Sequence, residues 1–536
     1  MRVAPIHMAI LTAHPKTNRL HPALVFTLIF VFIFLLHLPL LQLPYFWDEA
    51  GYYVPAARDL LLTGSLIPHS TVSNAHPPLV MAYLAVWWKL AGYSPVVTRS
   101  TMLLVAAFAL LGLFRLAQSV GNTPVAVAST VCTALYPVFF VQSSLAHVDL
   151  TAAGLTFWGL RAYLEDRRTA TAIWFSVAAL AKETATVVPL ALLVWELFCP
   201  LLSGKHVAAA GLFPRRGWKS ALLLCPLIPL GLWYAYHYLR TGYVFGNPEF
   251  FRYNIAATLN PFRVILALGM RLWQMFGYLY LYLLTMAMLL ALWRPPLHDR
   301  DGERQRIQVS VQLIFLAIVV AYVGVMSIVG GAVLARYMLP AVPLVIIVGV
   351  STLWRRVGYW REVVVIVALA FVAALFVNPP YGFSIEDNLA YRDYILLHQD
   401  GAKFVEARYP MARVLTAWPA SDELTRPYLG YITRPMRVVR IEDFTVEQLM
   451  VAADLSSNFD VALVFSTKYE PAHPLLEHWV AWERLKTRFF GFHRDLPPAA
   501  ASQVLGGKIV FSATRHGQWV AVIEVQRVEE ARAHKY

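Results

Sequence analysis

Long apolar runs separated by short polar loops fill the chain from Pro22 to Val377. They predict about eleven membrane spans, near 22–43, 97–117, 124–143, 149–164, 170–181, 185–202, 219–239, 263–291, 308–329, 333–353 and 362–377. A 20-residue helix crosses about 30 Å, so the shorter runs must be tilted, broken or shielded by neighbours. The first run follows a basic leader (Arg2, Lys16, Arg19) and has no small-residue cleavage site, so it reads as an anchor and not a removed signal. After Asn378-Pro379-Pro380 the pattern changes to short β-branched runs. Val414-Leu415-Thr416, Val438-Val439-Arg440-Ile441, Val461 to Phe465, and the runs at 508–513 and 518–526 read as strands. Thr445 caps a helical stretch through Met450. The reading is a mostly α, polytopic membrane protein with a cytoplasmic leader (1–21), a transmembrane domain (22–377) and a soluble C-terminal α/β domain (378–536).

Basic clusters set the expected orientation. They are Arg161, Arg167 and Arg168; Lys205, Arg215, Arg216 and Lys219; Arg294, Arg300, Arg304 and Arg306; and Arg355, Arg356 and Arg361. With the amino terminus inside, all four fall on the cytoplasmic side. The segments 44–96, 144–149, Lys182-Glu183, 240–262 and 330–336 then lie outside, as does the tail, in a bacterial-type inner or plasma membrane. The loops at 161–168 and 203–219 are both basic, hence both inside, so the apolar stretch between them must cross an even number of times. Two short spans with Lys182-Glu183-Thr184 at their outer apex satisfy this. One long tilted helix with a snorkelling lysine is the alternative, and it inverts everything downstream.

Composition narrows the function. Hydrophobic residues make up 58% of the 536 and charged residues only 14%, against about 25% in soluble domains, which excludes a soluble enzyme and a disordered chain. The net charge of +13 is no nucleic-acid footprint: residues 1–377 hold 27 basic and 13 acidic side chains, and the tail holds 18 and 19. Nucleic acid is therefore not a partner. Cys132, Cys199 and Cys225 all fall in apolar segments without metal-ligand spacing and read as packing residues.

The chemistry concentrates in the expected outer loops. In Phe46-Trp47-Asp48-Glu49-Ala50-Gly51-Tyr52-Tyr53 two carboxylates follow aromatic anchors. At 100° per residue Ala50, Tyr53, Val54, Ala57, Leu60 and Leu61 share one helix face, while Asp48, Tyr52 and Asp59 gather opposite. That predicts an amphipathic interfacial helix, kinked at Pro55, with its acidic face turned away from lipid. A second short helix is expected from the prolines of His76-Pro77-Pro78-Leu79 to Leu90. His147 and Asp149, Lys182 and Glu183, and Arg336 and Tyr337 fall on the same side. Ionisable groups at membrane depth are functional by default, and carboxylates beside fixed cations suit an anionic, phosphate-bearing substrate. The plainer readings are a solvated helix-capping pair for Asp48-Glu49, a snorkelling Lys182, an anchoring Arg336, a turn residue for His76 and a hydrogen-bonding interface residue for His147.

Asp48-Glu49-Ala50-x-Tyr52-Tyr53, His76-Pro77-Pro78-Leu79, Lys182-Glu183 and Arg336-Tyr337-x-x-Pro340-x-x-Pro343 occur in an order that resembles the GT-C membrane glycosyltransferases of the protein-mannosyltransferase and aminoarabinose-transferase type, over about residues 20–355. The resemblance implies inverting transfer of a sugar from a polyprenyl-phosphate carrier to a glycan, lipid or protein acceptor at the outer face. It implies Asp48 as the catalytic base and Asp149 as a second catalytic carboxylate. Glu49, Tyr52, His76, Lys182, Arg336 and Tyr337 are the implied substrate-binding residues, with Lys182 and Arg336 on the lipid phosphate. No cofactor is required with certainty; Glu49, His147 and Glu183 are candidate ligands for a divalent metal ion. Aminoarabinose-type members carry a lysine where this chain has His76. The rival is a transporter or lipid flippase, which should carry midplane charges and broken helices in two matching halves. No halves match here.

Overall fold

The computed structural model describes residues 21–202, 218–300, 302–471 and 479–525. The leader residues Arg2, Lys16 and Arg19 and the basic Lys205, Arg215 and Arg216 lie outside the described residues. In chain order the first helices are α1 (Pro22–His37), α2 (Val54–Thr63), α3 (Leu79–Ala91), α4 (Pro95–Val120), α5 (Thr123–Leu135) and α6 (Pro137–Gln142). Then come α7 (Val148–Leu164), α8 (Arg168–Ala181), α9 (Val187–Leu202), α10 (Leu227–Thr241) and α11 (Pro248–Asn254). The last of the apolar series are α12 (Pro261–Phe276), α13 (Leu281–Leu292), α14 (Val309–Ile328), α15 (Val342–Arg356) and α16 (Trp360–Phe376).

Each of the eleven apolar runs carries helix. Among the described residues five segments are long and apolar enough to cross a bilayer: Pro22–Leu40, Pro95–Val120, Ser220–Thr241, Pro261–Leu292 and Val309–Ile328. The chain is an integral membrane protein. The other runs form helices of 17 residues or fewer, about 25 Å at most. The run at 263–291, read from its hydropathy as one span, is two helices. It breaks where Leu279 (φ 46°) and Tyr280 (φ 66°) adopt left-handed backbone, a conformation that apolar periodicity does not reveal.

The chain divides into two units. The first comprises residues 1–38, 56–93 and 97–374. Within it α7, α8 and α9 run out, back and out again. Lys182, just past α8, bonds to Asp149 in the first turn of α7. Arg168, opening α8, donates to Glu196 in the second half of α9 at 2.5 Å. The stretch 170–202 is therefore a helical hairpin broken at Lys182, as the parity of its basic flanks requires. Arg161, Arg167 and Arg168 cluster with Glu165 and Asp166 at the other end from Lys182, about 21 Å away along α8. The same polarity holds for α15. Arg336 precedes it, while Arg355 at its far end bonds to Glu303 and its carbonyl accepts from Leu297. A two-residue hairpin of β1 (His298–Asp299) and β2 (Gly302–Glu303) sits in that far loop.

Small residues let these helices approach closely. A Cβ on Gly154 of α7 would lie 2.6 Å from the Cβ of Ala109 on α4, inside contact distance. Gly154→Ala is expected to cost about 1–3 kcal/mol through overpacking, read as a lower unfolding midpoint of the detergent-solubilised protein.

The second unit comprises residues 39–55, 94–96 and 375–536. It holds strands β3 (Arg413–Ala417), β4 (Arg437–Ile441), β5 (Val461–Phe465), β6 (Gly507–Arg515) and β7 (Gln518–Val525) in the order β4-β3-β5-β7-β6. β3 pairs in parallel with β4 and β5, and β7 antiparallel with β5 and β6. Every residue of β5 is buried, as the continuous apolar run of a covered central strand requires. Helix α17 (Ala390–Arg408) packs on β6 and β7. Thr445 caps the helix at Val446–Asp454, its side chain accepting from the Gln448 amide. The sequence boundaries gave residues 39–55 to the transmembrane domain, whereas here they pack with the tail.

Candidate functional site

The first unit gathers five of the predicted site residues from three separated stretches of sequence. Asp149 stands in the first turn of α7, where the positive end of the helix favours a carboxylate. At the end of α8 the backbone turns extended at Lys182 (φ −155°, ψ 136°), which aims its ammonium at Asp149 Oδ1, 2.5 Å away. Arg336 Nε faces Oδ2 of the same carboxylate at 3.4 Å. All three side chains are buried. The Tyr337 ring completes the group, with Lys182 Nζ 4.1 Å from its centroid and the guanidinium carbons of Arg271 and Arg336 at 5.5 and 5.7 Å. Burial alone would discharge Lys182; Asp149, then Tyr337 and Glu183, outweigh it and push its pKa above that of an ordinary lysine.

His147 lies between this group and α6. Its Nδ1 is 2.9 Å from Arg336 Nη1. Gln142 Oε1, an acceptor, meets the same nitrogen at 2.8 Å. Burial and the nearby charges of Arg336, Lys182 and Arg99 hold the His147 pKa well below the usual imidazole range. A neutral ring amid three cations does not suit a divalent metal, because those charges repel the ion. Glu183 is engaged with His76, and Glu49 Oε2 accepts from the Phe46 amide in the second unit. Among the described residues no three His, Cys, Asp or Glu side chains gather to hold a metal ion. Glu49, His147 and Glu183, the candidate metal ligands, are each engaged in these separate contacts.

Residues that the sequence reading passed over hold the loop ahead of Arg336. Arg263, Arg271 and Gln274 share one face of α12 and grip backbone carbonyls of residues 330–334. Arg263 Nη2 donates to Gly330 and Gly331, Arg271 Nη1 to Leu334 and Gln274 Nε2 to Val333, all at 2.7–2.9 Å. Fully buried Arg99 donates to the Ser144 carbonyl ahead of His147 at 3.2 Å. A polar or charged residue inside an apolar run was the available clue in each case.

His76 and Glu183 form a second pair, with His76 Nδ1 2.9 Å from Glu183 Oε2. Burial would raise the Glu183 pKa, but the His76 ring, its hydrogen bond and Lys182 outweigh this and bring it to about 2. The same loop corrects the acidic face of α2. Asp59 is buried, and its Oδ2 accepts from the His69 and Ser70 amides at 2.6 and 2.7 Å.

Asp48, Glu49 and Tyr52 belong to the second unit, on a turn that the tail grips. Tyr45 donates its amide to the Leu429 carbonyl and accepts at its own carbonyl from the Tyr431 hydroxyl. Phe46 meets Tyr391 and Tyr394 edge-on, and Trp47 meets Tyr394 and Trp418. Residues Glu49–Tyr53 form one π-helical turn, with Gly51 directly under Trp418, where a Cβ would come within 2.8 Å of the indole. The wider turn breaks the 100° wheel, so Glu49 is fully buried and Asp48 only half-buried.

No family model matches the chain, and no curated protein matches it in sequence. In three dimensions the chain is similar to ArnT from Cupriavidus metallidurans in the apo state, at 14% identity and TM-score 0.50, over 94% of this chain and 98% of that one. It is equally similar to ArnT bound to undecaprenyl phosphate, at 14% identity and TM-score 0.50, over 93% and 97%. The chain shares the fold of these ArnT structures.

Proposed function

We propose that this chain transfers a sugar from a polyprenyl-phosphate carrier to a hydroxyl acceptor on the outer face of the membrane, with inversion. One observation carries the reading. Asp149, Lys182 and Arg336, up to 187 positions apart, meet at one end of α7, α8 and α15, a helix length from the basic loop clusters, on a fold shared with a protein solved with undecaprenyl phosphate. A transporter would place its decisive charges at the midplane, between repeated halves.

In this reading the amino terminus and basic loops are cytoplasmic and the tail extracytoplasmic. Lys182 and Arg336 bind the lipid phosphate and stabilise the charge that develops as it leaves. Asp149 holds those two cations in place. Both its oxygens already face them, so its role is positioning and not proton transfer. Asp48 accepts the proton of the incoming hydroxyl. The new bond forms to the anomeric carbon as the bond to the phosphate oxygen breaks, and the electron pair departs with the phosphate. Tyr52 and Glu49 are assigned to substrate, and the acceptor is a glycan, lipid or protein.

Binding of undecaprenyl phosphate to the purified full chain tests the carrier. Lys182→Met and Arg336→Gln are each expected to weaken binding at least about tenfold, the worth of one charge-assisted contact, while still eluting as folded protein. Wild-type protein that ignores undecaprenyl phosphate would sink the reading.

A further inference from the structure

The core of the second unit buries a polar pair that its sheet does not need. His398, on α17, places Nδ1 2.6 Å from Glu423 Oε2, and both side chains are 2% exposed. Among the described residues His398 Nε2 and Glu423 Oε1 meet no hydrogen-bond partner. A half-matched buried pair is worth less to stability than apolar residues of the same volume, so stability is not what it supplies.

The neighbours of His398 show what it does supply. Its ring stacks on Tyr394, one turn earlier on α17, at 3.9 Å between centroids and 29°. It meets Tyr431 edge-on at 6.5 Å, and Phe465, the last residue of β5, at 4.3 Å. Phe46 and Trp47 rest on the Tyr394 ring, at 5.5 and 5.7 Å, and the Tyr431 hydroxyl donates to the Tyr45 carbonyl at 3.0 Å. Two of the tail's holds on the residues ahead of Asp48 therefore run through one imidazole. Glu423 adds another. It ends the short helix Ala420–Glu423 that follows Trp418, whose indole lies 5.0 Å from that of Trp47 and directly over Gly51.

Sheet topology explains why the turn is seated here. In open sheets with parallel strands, ligands lie beyond the carboxyl ends of the strands, where the strand order reverses. β3 is followed by β4 on one side and then by β5 on the other, so the reversal falls at the carboxyl ends of β3 and β5. Trp418 directly follows β3, and the turn carrying Asp48 lies against it. The domain thus holds a segment of its own chain where such sheets hold a small molecule.

We propose that His398 and Glu423 are positioning residues for sugar transfer: together they lock Tyr394 and Tyr431 and so hold Asp48 in place for the incoming hydroxyl. The proposal rests on Asp48 as the base in the reading above. It adds to that reading two residues of the tail, remote from Asp48 in sequence, on which the placement of the carboxylate depends. The proton passes from the hydroxyl to Asp48, and the pair itself exchanges none.

The test follows the full chain by undecaprenyl phosphate binding, by transfer of radiolabel from polyprenyl-phosphate sugars, and by amide exchange of residues 44–53 against that of β5. His398→Phe/Glu423→Leu removes the pair without stranding a carboxylate. It is expected to keep wild-type carrier binding and β5 protection while residues 44–53 exchange at least about tenfold faster. Transfer should slow about 10²-fold, the effect of misplacing a reacting group by about 1 Å. Glu423→Gln, which keeps an acceptor oxygen for His398, should recover most of the rate. Tyr431→Phe removes only the hydroxyl on the Tyr45 carbonyl and should show the same pattern in smaller measure, even if the double variant fails to fold. In an Asp48→Asn background the double substitution should cost nothing further, because its effect passes through Asp48; a merely structural role would slow transfer equally in both backgrounds. Wild-type exchange at 44–53, wild-type transfer, or an equal loss in both backgrounds would each overturn the positioning role. Wild-type protein that neither binds undecaprenyl phosphate nor transfers sugar would overturn the glycosyltransferase reading, while the exchange of residues 44–53 would still report whether the pair holds the turn.

Discussion

Asp149→Asn is expected to lower the stability of the helical unit by about 3–5 kcal/mol, the largest effect of any single substitution considered. Its carboxylate is buried between Lys182 Nζ and Arg336 Nε. Removing that negative charge leaves two cations facing each other in a medium that solvates neither. The loss should appear as a lower thermal midpoint of the detergent-solubilised protein, together with weaker undecaprenyl phosphate binding. The double variant Asp149→Leu/Lys182→Met should recover much of the stability and none of the binding, because it removes a charge pair and leaves no lone ion from that pair. An Asp149→Asn protein that melts with the wild type would mean the two cations draw their compensation from elsewhere.

Asp48→Asn is expected to leave undecaprenyl phosphate binding and thermal midpoint near wild type while slowing transfer about 10²–10⁴-fold, the usual contribution of a general base. Asparagine keeps the size of the side chain on a turn whose shape is set by Phe46, Trp47 and Gly51 against the tail. The measurement is transfer of radiolabel from a panel of polyprenyl-phosphate sugars to membrane acceptors. Undiminished transfer by the Asp48→Asn protein would remove it as the base and move the search to another acceptor of the hydroxyl proton.

Much of the fold was legible because its signals are local. The strands of the tail are short β-branched runs between turn residues, and each was readable to within a residue or two. The hairpin broken at Lys182 was readable because two basic flanks demand an even number of crossings. The departures share a different cause, a backbone that leaves the standard period. Left-handed Leu279 and Tyr280 split an apolar run that hydropathy alone joins. The π turn at Glu49–Tyr53 rotates Glu49 inward, so a helical wheel drawn through it assigns the wrong face. Within the site, the pairing of Asp149 with Lys182 and Arg336 was expected in kind. The surroundings of His147 were not, since its neighbours Arg99, Lys182 and Arg336 are far apart in sequence and only the fold makes it a neutral ring in a cationic setting. Arg271 and Gln274 were visible as polar residues in an apolar run, but their partners are backbone carbonyls, which leave no trace in the sequence.

The grip of the soluble domain on residues 45–52 gives that domain a share in any chemistry Asp48 performs. Heating, proteolysis or a destabilising core substitution in the β-sheet would loosen the scaffold of that turn while Asp149, Lys182 and Arg336 on the helices stayed in order. On the proposed function such a protein should still bind undecaprenyl phosphate yet fail to transfer sugar, so its working temperature would be set by its least membrane-like part.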